Sequence, residues 1–190
     1  MKYEILLASR SPRRRALLKE LGIPFRVVET GHAGEDYPPS LAGGEITTYL
    51  ADHKSDAYAG ALGEKQILLT ADTIVWLRGK ELGKPAGRDE AISMISSLSG
   101  NTHQVYTGVC LRSSMKRMSF FAVTDVTFSR LDPDETEAYV DRYRPFDKAG
   151  AYGIQEWIGH IAVERIKGSY FNVMGLPVQK VYSELKTFLK

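Results

Sequence analysis

The fold is decided by the stretch Ile5-Leu6-Leu7-Ala8-Ser9-Arg10-Ser11-Pro12 near the start of the sequence. Its first four residues form an apolar run, which predicts a short buried β-strand. Ser11 is a preferred N-cap and Pro12 a preferred first helical residue, so the strand leads directly into a helix. A strand joined this closely to a helix favours an α/β or α+β fold.

Extended and helical patterns continue to alternate along the rest of the chain. Apolar residues in runs or at every second position predict strands, whereas apolar residues every three or four positions predict helices. We expect further strands at 67–77, 105–111, 120–128 and 160–166, and helices at 11–21, 46–57, 91–98, 132–143 and 177–188. Residues 30–44 have the composition of a loop. No internal repeat or linker interrupts the chain, so a single domain is expected over 1–190.

The composition excludes several classes of protein. The 25 lysines and arginines nearly balance the 23 aspartates and glutamates, which argues against a polybasic protein that binds nucleic acid through bulk charge. The single cysteine, Cys110, excludes an intramolecular disulfide, and the four histidines lack zinc-ligand spacing. No apolar run approaches the roughly 20 residues of a membrane span, and the N-terminal pattern is not that of a secretory signal. We therefore expect a soluble cytoplasmic protein with neither a membrane nor a nucleic-acid partner.

The predicted first helix begins with three arginines, Arg13-Arg14-Arg15. Cations at a helix N-terminus oppose the helix dipole, at a cost of roughly 0.3–1 kcal/mol each. A bound phosphate would remove this conflict, because backbone N–H groups and guanidinium groups would both donate to it, with hydroxyl donors from Ser9 and Ser11. The alternative is a solvated basic turn whose arginines pair with nearby carboxylates.

Asp72 stands inside an otherwise apolar run, between Leu69 and Ile74. A carboxylate in such a place must be paired, hydrogen-bonded or bound to a metal. It could serve as a metal ligand, as a general base, or as both. The alternative is a structural aspartate that accepts hydrogen bonds from backbone N–H groups.

A third segment combines charged and small residues, from Phe146 to Gln155. Small residues let the backbone approach a ligand closely, and the amide of Gln155 could read the edge of a base because it both donates and accepts. The alternative is a glycine-rich loop with a structural ion pair. Taken alone, Lys54, Lys84 and Glu35 have the pattern of ordinary surface residues.

Taken together, these segments resemble the Maf family of nucleoside triphosphate pyrophosphatases over nearly the whole chain. The matching motifs, in order, are Leu7-Ala-Ser-Arg-Ser-Pro-Arg13-Arg14, Ala71-Asp72-Thr73-Ile-Val, Gly83-Lys84-Pro85, Leu98-Ser-Gly-Asn-Thr-His103-Gln-Val-Tyr-Thr-Gly-Val, Asp147-Lys-Ala-Gly-Ala-Tyr-Gly-Ile-Gln155 and Gly168-Ser-Tyr-Phe-Asn-Val-Met-Gly-Leu-Pro177. Their common order makes the resemblance specific, although each motif alone is weak.

The resemblance implies a two-lobed α/β fold with a mixed sheet around a central cleft, similar to inosine triphosphatase. It implies cleavage between the α- and β-phosphates of a nucleoside triphosphate, which yields a monophosphate and pyrophosphate. It also implies a divalent cation, Mg²⁺ or alternatively Mn²⁺, and a homodimer. Asp72 matches the proton acceptor of the family. Arg13, Thr73 and Gln155 match the three positions that distinguish the dTTP/UTP subclass from relatives that act on 7-methyl-GTP.

The same resemblance suggests how a triphosphate would be held. The positions expected to bind phosphate are Ser9, Arg14, Lys54, Lys84 and Lys148. The metal carboxylates would be Asp72 and Glu35, with Asp36 as the alternative to Glu35, because the surrounding loop is about one residue longer than in relatives. Two further departures from the family pattern are Arg144 in place of Glu and Glu156 in place of Gly, both near the expected base pocket.

The leading hypothesis is therefore a hydrolase that converts dTTP, UTP and modified pyrimidine triphosphates to the monophosphate and pyrophosphate. The first alternative is a pyrophosphatase for another base, such as 7-methyl-GTP. The second is a non-hydrolytic nucleotide- or nucleic-acid-binding module that uses the arginine turn. The near-neutral charge and the absence of interleaved aromatic stacking motifs argue against the second alternative.

Overall fold

The computed structural model describes residues 3–29 and 34–190. The strands are β1 (Glu4–Leu7), β2 (Phe25–Val27), β3 (Gln66–Leu77), β4 (Lys80–Leu82), β5 (Thr102–Arg112), β6 (Arg117–Phe128) and β7 (Val163–Lys167). The α-helices are α1 (Pro12–Glu20), α2 (Gly44–Asp56), α3 (Arg88–Leu98), α4 (Pro133–Tyr143), α5 (Trp157–Ala162), α6 (Tyr170–Val173) and α7 (Val178–Phe188). Short 3₁₀ turns cover Ala59–Ala61 and Ala149–Ala151.

The strands form a seven-stranded mixed sheet in the order β2-β1-β3-β5-β6-β7, with β4 paired to β3. β1 runs parallel to β2 and to β3, so Leu7 is paired with Val27 on one side and Leu69 on the other. β3 is antiparallel to β4, and β6 is antiparallel to β7. The α/β class expected from the sequence is therefore confirmed.

The chain divides into two compact units. The first comprises Met1–Thr73, Thr107–Ala122 and Gly175–Lys190, and the second comprises Ile74–Tyr106 and Val123–Met174. The first unit contains a small buried cluster of Leu6, Ala8, Val28 and Leu68. The second unit contains a cluster of buried side chains from α3, α4, β3, β5, β6 and the segment that follows residue 150.

Two helix starts predicted from the sequence are confirmed by their hydrogen bonds. Ser11 caps α1, where its side chain accepts from the backbone N–H of Arg14. At the start of α4, the Asp132 side chain accepts from the N3 backbone, while the backbone N–H of Asp132 donates to Glu135. This reciprocal pair is a capping box, which satisfies backbone donors at the helix N-terminus.

The strand expected at 160–166 is wrong in its first half. Residues 157–162 form α5, and the strand begins only at Val163. Ile158 and Ala162, four residues apart, are both buried, which is the spacing of a helix rather than a strand. The short elements β2, β4 and α6 are not predicted by the sequence, because none of them has the continuous apolar run that marks β1. No helix in the described part of the chain has the length and apolar character needed to cross a membrane.

His103 is a buried histidine in the core of the second unit. The residue is only 1% exposed. Its Nε2 lies 2.8 Å from the hydroxyl of Tyr152. The imidazole ring also makes edge-to-face contacts with the rings of Phe128 and Tyr152. Burial lowers the pKa of His103 from 6.5 to about 4. The imidazole is therefore neutral in the folded protein at neutral pH.

This burial predicts a loss of stability in mild acid. Between pH 6.5 and about 4 the unfolded chain binds a proton at His103 that the folded chain does not, so stability falls as pH falls through this window. The contribution lost between about pH 7 and about pH 5 is about 2 kcal/mol. Urea unfolding at both pH values should show a smaller difference for His103→Gln than for the wild type. An equal pH dependence of the two proteins would contradict the prediction.

Candidate active site

Asp72 and Thr73 are two partly exposed residues within the otherwise largely buried strand β3. Ile67 to Ala71 are buried, whereas Asp72 and Thr73 are half-buried. One carboxylate oxygen, Oδ2, accepts from Lys54 Nζ at 2.5 Å, and the other, Oδ1, accepts from the backbone N–H of Thr73 at 2.8 Å. The Asp72 side chain is 15% exposed. The carboxylate is thus paired with a cation and also held by the backbone, which combines two of the environments considered from the sequence.

Lys54 reaches Asp72 from the last turn of α2. The helix is joined to β3 by Thr70, whose hydroxyl donates to the carbonyl of Ala51 at 2.7 Å. Both groups of that hydrogen bond are buried, so it fixes the helix on the strand that carries Asp72. The structure therefore places Lys54, predicted from the resemblance, beside the predicted proton acceptor.

Arg14 contacts Thr73, the residue that follows Asp72. Its Nε donates to the carbonyl of Gly175 at 2.8 Å, and its Nη2 donates to the Thr73 hydroxyl at 2.9 Å. The Thr73 hydroxyl also lies 3.0 Å from that of Thr107 on β5. Burial lowers the pKa of the Arg14 guanidinium, while the charge of Asp72 acts in the opposite direction. Arg14 therefore orients Thr73, which was not apparent from the sequence, and Thr107 is a neighbour that the sequence reasoning missed.

The remaining residues of the arginine turn differ in their surroundings. Arg15 is exposed and donates to the carbonyl of Arg10 at 3.2 Å. Arg13 is half-buried, and its charge lowers the pKa of Arg14. Ser9 accepts from the backbone N–H of Ser11 at 3.2 Å, so its hydroxyl helps to shape the turn between β1 and α1. The turn is therefore partly ordered by its own contacts, and Arg14 is directed at Thr73.

In the second unit, Lys148 lies in a cluster of polar side chains. Its ammonium group donates to Asp147 Oδ1 at 2.8 Å and lies 3.2 Å from Glu156 Oε1. The Lys148 side chain is 10% exposed. The backbone N–H of Gly150 donates to the carbonyl of Gly83 at 3.0 Å, which joins this segment to the one that carries the exposed Lys84.

Gln155 presents an unusual acceptor. Its Oε1 is buried, and no hydrogen-bond partner for this atom exists among residues 3–29 and 34–190. A buried acceptor left in this way costs free energy in the folded state. This acceptor is compatible with the contact between Gln155 and a base that the resemblance implies.

The expected metal ligands are only partly placed. Glu35 and Asp36 are exposed, in a loop whose residues 30–33 lie outside the described part of the chain. The described residues contain no group of three or more histidine, cysteine, aspartate or glutamate side chains arranged to hold a metal.

Comparison with known proteins identifies what the chain resembles. Residues 4–188 match a family model described as Maf-like protein. The chain is 55% identical over 185 residues to a dTTP/UTP pyrophosphatase of Bacteroides fragilis, with 97% of this chain and 96% of the relative covered. It is 51% identical over 187 residues to a dTTP/UTP pyrophosphatase of Parabacteroides distasonis, with 98% and 97% covered.

A likeness of fold is found among solved structures. A HAM1 protein from Coxiella burnetii matches with a TM-score of 0.53 and 14% identity, covering 97% of this chain and 99% of that protein. At this identity the match concerns the fold alone. It agrees with the mixed α/β architecture described above.

Proposed function

Since the chain belongs to the Maf family, we propose that it is a nucleoside triphosphate pyrophosphatase that acts on dTTP and UTP. The observation that carries this proposal is the partly buried pair of Asp72 and Lys54, next to the Thr73 hydroxyl that Arg14 orients. A carboxylate in this position can accept a proton, and the surrounding cations can interact with the anionic substrate.

In the proposed reaction, water attacks the α-phosphorus of the nucleoside triphosphate. Asp72 orients the water and accepts its proton as the new oxygen–phosphorus bond forms. The bridging oxygen–phosphorus bond breaks, and its electron pair leaves with pyrophosphate. The hydrogen bonds from Lys54 and from the Thr73 backbone hold the carboxylate in one orientation, so that it is preorganised for this step.

A divalent cation fits the chemistry of the proposed donors. Carboxylate oxygens are the ligands that Mg²⁺ prefers, and Mg²⁺ is commonly bound by one or two carboxylates together with substrate phosphates. Asp72 and either Glu35 or Asp36 would hold it. When bound, the ion would offset negative charge on the phosphates. This arrangement does not require a site built from protein ligands alone.

The phosphates would be bound by Ser9, Arg14, Lys54, Lys84 and Lys148. Two of these cations already have carboxylate partners, Lys54 with Asp72 and Lys148 with both Asp147 and Glu156. We propose that their ammonium groups exchange part of these contacts for phosphate oxygens when the nucleotide binds. Such exchange keeps each buried charge compensated throughout.

The choice of base is assigned to Arg13, Thr73 and Gln155. Support comes from the hydrogen-bonded position of Thr73 and from the buried Gln155 Oε1, for which no donor lies within reach in the described ranges. The amide of Gln155 can donate to one group of a pyrimidine edge and accept from another. A homodimer and a cytoplasmic location remain predictions.

The function is tested by measuring pyrophosphate release from a panel of nucleoside triphosphates. With Mg²⁺ the purified protein should act on dTTP and UTP in preference to purine nucleotides, and removal of the ion by EDTA should abolish the activity. Activity confined to 7-methyl-GTP would overturn the proposed specificity. Salt-sensitive DNA binding with no turnover of any triphosphate would instead support the non-hydrolytic alternative.

A further inference from the structure

Glu156 is the inner partner of Lys148. The side chain of Asp147, the other partner, is 60% exposed, whereas that of Glu156 is 18% exposed. Lys148 therefore has two carboxylate partners, of which Glu156 is the less exposed. A polyphosphate that approaches Lys148 would therefore displace the exposed Asp147 carboxylate more readily than the Glu156 carboxylate.

Tyr139 confines Glu156 from the other side. The Tyr139 hydroxyl donates to Glu156 Oε2 and accepts from the backbone N–H of Gly153, the latter at 3.0 Å. Burial, followed by the hydrogen bond to Glu156, raises the pKa of Tyr139, so the hydroxyl keeps its proton and remains a donor. Two hydrogen bonds and an ion pair thus connect the Gly153 backbone through Tyr139 and Glu156 to Lys148.

Gln155 lies next to Glu156 in sequence, and its side chain approaches the same glycine, Gly153. A Cβ atom built on Gly153 would lie 2.8 Å from Gln155 Nε2 and 2.8 Å from Glu156 Cδ. Both side chains therefore lie close to the same glycine, and a larger residue at 153 would displace them. Displacement of Glu156 would change the space occupied by the Gln155 amide.

We infer that Glu156 and Tyr139 are positioning residues, which hold Lys148 for phosphate binding and Gln155 for base recognition. The inference rests on the proposed function. It gives a role to Glu156, one of the places where this chain departs from the family pattern. When nucleotide binds, Asp147 gives way to the phosphates, and Glu156 keeps the Lys148 ammonium group compensated and in place.

The test compares Glu156→Gln and Tyr139→Phe with matched controls. Glu164→Gln makes the same change at an exposed position of β7, and Tyr143→Phe makes the same change on the helix that carries Tyr139. In Glu156→Gln, the KM for dTTP is expected to rise about tenfold, because Lys148 loses its charged inner partner. In Tyr139→Phe, the preference for dTTP over dGTP is expected to fall several-fold. Both controls should match the wild type.

The readout separates positioning from a purely structural role. Loss of folded protein lowers the apparent kcat and leaves KM unchanged, whereas misplacement of binding groups raises KM. Glu156→Asp, which keeps the charge, should recover part of the loss. If Glu156→Gln does not fold, the KM for dTTP and the preference for dTTP over dGTP are measured in Glu156→Asp and Tyr139→Phe instead, and these values test the inference.

The outcomes also distinguish this inference from the function on which it rests. A wild-type protein that releases no pyrophosphate from any triphosphate would overturn the proposed function. An active wild type, together with variants whose KM and base preference are unchanged, would overturn the inference alone.

Discussion

Replacement of Asp72 by asparagine should reduce kcat for dTTP by about 10²–10⁴-fold, the usual contribution of a general base. The amide keeps the size of the carboxylate but cannot accept a proton from water, and it is a much weaker metal ligand. It also removes the negative charge that faces Lys54 Nζ at 2.5 Å. Pyrophosphate release under saturating dTTP and Mg²⁺ measures the effect.

The fold should survive this substitution. The Asp72 and Lys54 side chains are 15% and 21% exposed, so water can partly compensate the ammonium group that is left unpaired. The expected loss of stability is on the order of 1–3 kcal/mol. Asp134→Asn, at an exposed position in the first turn of α4, is the matched control and should keep full activity. Near-wild-type turnover in Asp72→Asn would reject its role as proton acceptor.

The elements that could be predicted from the sequence are those with a clear pattern of apolar residues or a helix-capping residue. The run from Ile67 to Leu77 predicted β3, because its continuous apolar residues fit a buried strand. Asp72 was noticed for the same reason, since a charge interrupts that run. The strand predicted over 160–166 is wrong at 160–162, because the end of a short helix can have the apolar pattern of a strand that begins there.

The partners within the site could not be predicted from local pattern. Arg14 and Gly175 are 161 positions apart, and nothing in either segment indicates that one donates to the other. The triple arginine was interpreted through the charge of the helix start, whereas the structure shows that Arg14 is directed at Thr73. Long-range contacts of this kind depend on the sheet order, which brings β3 between β1 and β5.

Tyr139 and Glu156 illustrate the same limit. Tyr139 lies on a face of α4 that predicts core packing, and it is indeed fully buried. Its hydroxyl nevertheless accepts from Gly153 and donates to Glu156. A buried tyrosine usually finds a partner for its hydroxyl, but the sequence does not indicate which one.

A second large effect is expected at Gly108 on β5, where the backbone approaches α2. A Cβ atom at this position would lie 2.3 Å from the carbonyl carbon and oxygen of Thr47, and 2.5 Å from the nitrogen of Thr48. These are backbone atoms within a helix, so they cannot turn aside as a side chain would. Gly108→Ala should therefore push α2 away from the sheet and destabilise the fold by about 3 kcal/mol, at the upper end for overpacking.

The displacement of α2 should also reduce activity, because this helix carries Lys54 to Asp72. Urea unfolding measures the stability, and pyrophosphate release at a temperature where the variant is folded measures the activity. Gly60→Ala is the matched control, since no heavy atom in the described part of the chain lies within 4 Å of a Cβ added there. Because both variants add a single methyl group, a difference between them isolates the packing of α2 on β5. A Gly108→Ala protein with wild-type stability and turnover would show that the site does not depend on this close approach.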